Sequence, residues 1–293
     1  MGSLVTGSKY AFNTEESPRA HQKVVVEEGG VFDVNGVADC VVHVVAAGLF
    51  DADSFQGVAF GNRSGTNVGN SKMQTFQLTL TADASVGGTA EFGLIAPSYN
   101  ETRLELCGHT MRLFSATNFW MSNVDVIGPG KVLVSSGTLN FRRNPSRGDG
   151  WSLEVEAGGR LDCGKEFSVS NLVVRGEVTG DQLVTAYGRY LPASETLPAV
   201  ELKGAAAGID VSEFTEAWPL SDTLTFAPGT VVAVYTGERD IHNGMRLIAW
   251  SEPPAEVAKW KFECSKTKAR SYAASVHSDG LYIISNGSVL FLR

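Results

Sequence analysis

The residues able to do chemistry are few and scattered. Two carboxylates, Asp33 and Asp162, hold matching places in two similar stretches, Val24 to Asp33 (V-V-V-E-E-G-G-V-F-D) and Ser152 to Cys163 (S-L-E-V-E-A-G-G-R-L-D-C). A carboxylate pair can run glycoside hydrolysis when the groups lie about 5 to 9.5 Å apart. Rungs of a stacked β structure rise only ~4.8 Å each, so acids this far apart in the chain are too distant. Their expected role is to cap turns through hydrogen bonds to backbone N–H groups. Asp51-Ala52-Asp53 starts like a calcium loop, but Phe55 stands at the third ligand position and no glutamate follows at the twelfth. His21, His43, His109, His242 and His277 show neither zinc-protease nor nucleophile-elbow spacing. Cys40, Cys107, Cys163 and Cys264 form no C-x-x-C pair. Buried thiols are expected, two disulfides stay open, and no metal or cofactor is called for.

Aromatic and basic side chains remain as contact residues. Tyr99, Tyr187 and Tyr190 lie in loop-like text and are the aromatic rings expected to face a sugar, while Trp120, Trp151, Trp218, Trp250 and Trp260 are expected in the core. Arg142 and Arg143, with Arg147, make the one basic knot, which suits a solvated loop or an anion contact. A net charge of −8 argues against nucleic acid as a partner, because that affinity comes from clustered Lys and Arg. No apolar run reaches the ~18 residues of a membrane helix, so no membrane insertion is expected.

The elements that must position these residues read as strands and corners. The chain has 293 residues, 43% of them hydrophobic, which is enough for a core. Its 32 glycines exceed the usual share of about 7% and fall between short runs of Val, Leu, Ile, Phe and Thr. The two similar stretches each read as strand, glycine turn, strand, with Val26 on Val155, Glu27 on Glu156, Gly29-Gly30 on Gly158-Gly159 and Phe32 on Leu161. We read them as corners of one repeat. The expected fold is all-β: a right-handed single-stranded parallel β-helix (β-solenoid) with an antiparallel C-terminal hairpin cap, against the alternative of a β-sandwich. Residues 1–22 read as a polar arm without the basic and apolar regions of a signal peptide. Residues 23–220 read as repeats with an irregular insert near 188–220, including a helical turn over Val211 to Trp218, and residues 221–293 as terminal strands. Within the last segment, Gly280 to Ser285, Asn286-Gly287 and Ser288 to Leu292 form the expected hairpin.

The E-x-G-G-x-Φ-D corner, the A-x-G-x-Φ steps, and the closing run Gly244, Leu247, Ile248, Trp250, Phe262, Tyr272, Asp279, Gly280, Leu281, Tyr282 resemble bacterial secreted surface proteins built from autotransporter-associated β-strand repeats. The resemblance covers about two thirds of the chain. It implies a passenger-like β-helix at the bacterial cell surface or outside the cell, and it transfers no catalytic residue. The expected function is therefore a non-enzymatic adhesion or glycan-contact scaffold, with glycans or host cell-surface proteins as partners. The alternatives are a carbohydrate-active enzyme (polysaccharide lyase or glycoside hydrolase) on a β-helix, and a phage tail or spike segment, which a stable trimer would favour. Oligomeric state is open.

Overall fold

The computed structural model describes residues 3–5, 23–37, 43–48, 54–55, 57–68, 77–95, 102–142, 150–265, 269 and 271–285. The chain is all-β with large parallel sheets. Among the described residues the one helical element is a single 3₁₀ turn, Val257–Lys259.

Strands form because β-branched and aromatic residues alternate with polar ones, which puts one apolar face inward. They stack in parallel ladders. The first holds Lys23–Val26, His43–Gly48, the start of Gln77–Gly88, Thr102–Glu105 and Val124–Ile127. The second is the longest: Phe32 lies beside Phe60, Phe60 beside Val86, Val86 beside Leu113, Leu113 beside Val134, Val134 beside Val155 and Val155 beside Val174. All seven side chains are fully buried. Burying one such side chain contributes about 1.5–3 kcal/mol, so this column is a main source of stability. A third ladder carries Phe92, Phe119, Leu139, Leu161 and Val178, also inward. A fourth, in its own sheet, joins Phe167–Val169, Val184–Ala186, Val200–Leu202 and Leu224–Phe226. Phe60, Phe92 and Phe119 meet edge to face at 5.3 and 5.1 Å, tying the second ladder to the third.

The residue step between ladder neighbours is not constant. It is 28, 26 and 27 residues from Phe32 through Phe60 and Val86 to Leu113. It falls to 21, 21 and 19 from Leu113 through Val134 and Val155 to Val174, and stays at 18 and 19 from Leu172 through Tyr190 to Ile209. It then widens to 25 and 28 from Ile209 through Val234 to Phe262.

Neighbouring backbones approach so closely that some ladder positions admit only glycine. A Cβ on Gly61 would run into the carbonyl oxygen of Gly87, its ladder neighbour.

Several expectations need correction. The antiparallel pairing that a β-sandwich requires is confined, among the described residues, to the last four-stranded sheet, where Gly280–Ser285 pairs with Arg246–Ala249 and Tyr272–His277. Gly280–Ser285 thus forms its hairpin with the preceding strand, across Ser278-Asp279, whereas Ser288 to Leu292 lies outside the described residues. The stretch expected as an irregular insert supplies Arg189–Pro192, Val200–Leu202 and Gly208–Asp210, all in ladder register. Val211 to Trp218 is not helical, because its polar groups are engaged elsewhere: Asp210 accepts from Ser212 N, Glu213 pairs with Arg175, and Arg239 donates to the Val211 and Glu216 carbonyls.

Candidate functional site

Of the five expected contact residues, Tyr99 and Arg143 lie outside the described residues. Arg142 is exposed, but its guanidinium covers the Trp120 ring at 5.2 Å and reaches Asp162 at 3.4 Å. Tyr190 is a correction, being only 1% exposed. Register explains why: it stands between Leu172 and Ile209, both inward, so its ring must point inward too. Burial pushes its phenol well above the usual range. Tyr187 is half-buried, in the two-residue corner 187–188.

The repeat's carboxylates are engaged structurally. Asp33 Oδ1 accepts from the backbone N–H groups of Asn35 and Arg63, at 2.8 and 3.0 Å, and Oδ2 takes the Arg63 side chain. Glu154 sits between Lys131 at 2.9 Å and Arg175 at 2.6 Å, and Arg175 continues to Glu213. Burial raises the Glu154 carboxyl, and the hydrogen bonds from Lys131 and Arg175 outweigh that and hold it below the usual glutamate range. Thr79, on the first ladder, has a single hydroxyl proton and donates it to Glu105 at 2.9 Å. The hydroxyl must therefore accept from His43 Nε2 at 3.0 Å, so His43 does not act as its base in this arrangement. Cys163 is buried, its thiol pushed up to about 12 by burial and then by Asp162. Cys107 is exposed rather than buried, because it occupies a corner with φ of 52°. Cys40 is outside the described residues.

One place is different. Below Tyr187 the same corner lengthens from residues 187–188 to 203–207 and then 227–232, each running from the fourth ladder to the second. The lengthened corners bound a cleft of about 580 Å³. Glu201, Lys203, Thr230 and Lys261 line it, with Gly204 and Gly229 among the small residues that leave it open. The backbone there is held rung to rung: Lys203 N donates to Ala186 O at 3.0 Å, Ala227 N to Leu202 O at 2.9 Å and Lys261 N to Val232 O at 2.8 Å. Pairing of Ala186 with Leu202 sets Tyr187 one rung from Lys203. Thr230 donates its hydroxyl to Leu202 O at 3.4 Å, which fixes the wall. Among the described residues the ion-paired lysines are Lys131 and Lys259. Lys203 and Lys261 are exposed and make no ion pair.

This arrangement can attract an anion through two ammonium groups and accept hydroxyl donors on Glu201. No group of three metal-ligating side chains occurs among the described residues, nor a helix long and apolar enough to cross a membrane. No family model matches the chain, and no curated protein or solved structure matches it. Sequence reading missed Glu201, Lys203, Thr230 and Lys261. Each sits alone in strand or turn text, and only ladder register brings them together.

Proposed function

We propose that the parallel ladders close on one another as a right-handed β-helix, and that the chain is a non-enzymatic extracellular or cell-surface module that contacts glycans. The observation that carries this reading is the change along one edge of the stack. Two-residue corners keep it closed at Tyr187-Gly188, and longer ones open an accessible cleft directly below, with Glu201, Lys203, Thr230 and Lys261 on its lining and backbone pinned by cross-rung hydrogen bonds. A rigid shaft holding an open cleft with charged side chains on its lining, beside an aromatic ring, suits saccharide contact, where rings pack on aromatic faces and hydroxyls seek charged acceptors. The last, antiparallel sheet serves in this reading as the cap that stacked repeats require.

One observation favours a second reading. Lys203 and Glu201 both line the cleft, and a base beside an acid is what a polysaccharide lyase or hydrolase on this scaffold would need. A glycan array and a reducing-sugar release assay on the same preparation separate the two. Binding without turnover supports the scaffold; turnover abolished by Glu201→Gln overturns it in favour of the enzyme. A stable trimer in sedimentation analysis would instead favour a tail or spike segment.

A further inference from the structure

We infer that the corner cleft takes an acidic saccharide, with a sugar carboxylate held between Lys203 and Lys261. The inference rests on the glycan-contact reading and adds to it the charge of the ligand. At a net charge of −8 the chain as a whole repels anions, so an anion settles only where cations are left unneutralised. Several exposed cations, though not Lys23, Arg103 or Lys165, are tied across rungs, as in Lys131–Glu154 and Arg160–Glu177. Lys203 and Lys261 are not, and both open on the same cleft.

The third charge decides what kind of anion. With Glu201 on the wall, the cleft carries two positive groups and one negative. That sum disfavours a phosphate monoester, which carries close to two negative charges, and suits a unit with a single negative charge. Glu201 also offers acceptors to hydroxyl groups, which a uronate ring has and a simple carboxylate lacks. Lys261 N bonds Val232 O, and the 227–232 corner in turn bonds Leu202, so the two lysines stand two rungs apart, about 10 Å along the stack. Their long, flexible stems let both ammonium groups reach one carboxylate, or let each take one along a chain. Tyr187, a rung beyond Lys203, lies where the next sugar would pass.

The test compares two ligands that differ only at the carboxylates: β-1,4-linked trimannuronate, and the matching mannotriose in which each is a hydroxymethyl group. Calorimetry on the full chain is expected to show trimannuronate binding roughly tenfold or more tighter than mannotriose, with an affinity that drops as salt is raised. The Lys203→Gln/Lys261→Gln variant should lose roughly tenfold or more on trimannuronate, bringing its affinity down towards that of mannotriose, with an unfolding midpoint matching the parent. Equal binding of both ligands, or trimannuronate binding indifferent to the two lysines, overturns the charge inference and leaves glycan contact standing. If neither ligand binds while the array shows other glycans bound, the inference also fails; an array with no bound glycan brings down the underlying reading instead.

Discussion

Two stretches of the same stack use their residues differently. From Leu113 to Ile209 neighbours in register are 18 to 21 residues apart, corners are short, and charges are tied from rung to rung. From Ile209 to Phe262 the step is 25 and 28 residues, and part of the added length lies in the 227–232 corner, one of the two that frame the cleft. The inward columns continue through both, Leu172, Tyr190, Ile209 and Val234 being buried alike. A parallel ladder constrains the strands but not the corners, so corner length can vary without disturbing the core. On the function proposed above, that separation of duties lets the tight stretch serve as a shaft and the wide one as the place for a ligand.

The comparison breaks most readily in the interior. Leu153 is 1% exposed and sits between Val132 and Leu172. Leu153→Ala is expected to lower unfolding free energy by about 2–5 kcal/mol through lost burial and a cavity, measured by urea denaturation. Lys203→Gln in the cleft should stay within about 0.5 kcal/mol of the parent. Comparable losses at the two sites would mean that the cleft is part of the structural frame.

The units of the shaft were legible in the sequence, and their arrangement was not. Val24 to Asp33 and Ser152 to Cys163 do form the same strand, turn, strand unit, with Gly30 N on Glu27 O and Gly159 N on Glu156 O, both at 2.8 Å. A third copy, with His109 N on Leu106 O at 2.8 Å, has Cys107-Gly108 where the others have Glu28-Gly29 and Ala157-Gly158, and with His109 in place of the second glycine no glycine pair flags it. The two matching copies also turn at different edges, one from the first ladder to the second and the other from the second to the third. Local residues specify that the chain turns; which edge it turns at depends on the count of residues around the whole repeat. Tyr190 was misplaced for the same reason: loop-like neighbours such as Gly188 and Pro192 conceal an inward position that only pairing with Leu172 reveals. The cleft lay hidden because Lys203 and Lys261 meet across two rungs and share no sequence signal.

A second way to sharpen the contrast uses pH. Glu154 between Lys131 and Arg175 has its carboxyl held below the ordinary value of 4.5 in the folded chain. A depressed folded value means that the unfolded chain takes up the proton first as pH falls. Its stabilisation is thus complete at neutral pH, declines once pH drops below about 4.5, and is gone below the folded value. Glu154→Gln should cost about 1 kcal/mol at pH 7, given the partial exposure of the trio, and the gap to the parent should close under acid. A gap that persists unchanged under acid would show that packing rather than charge holds this rung.

At the wide end, Tyr187→Ala probes binding more than folding. The ring is half-buried at the last short corner, and loss of one aromatic contact is worth about 1 kcal/mol. Trimannuronate affinity should therefore fall several-fold in calorimetry. An unchanged affinity would restrict the ligand to the lysine-lined part of the cleft.

The smallest expected effect tests whether all cross-rung pairs matter equally to the shaft. Arg160 and Glu177 meet at 2.8 Å with side chains 63% and 48% exposed. Water solvates both charges in the unpaired state nearly as well as they solvate each other, and ordering two long side chains offsets much of the attraction. Arg160→Ala is accordingly expected to shift unfolding free energy by no more than about 0.5 kcal/mol, measured by urea denaturation. A loss as large as that from Glu154→Gln would mean that regular spacing along the ladder, rather than burial of the individual pair, sets the worth of each charge, and that the tight stretch acts as one cooperative electrostatic column.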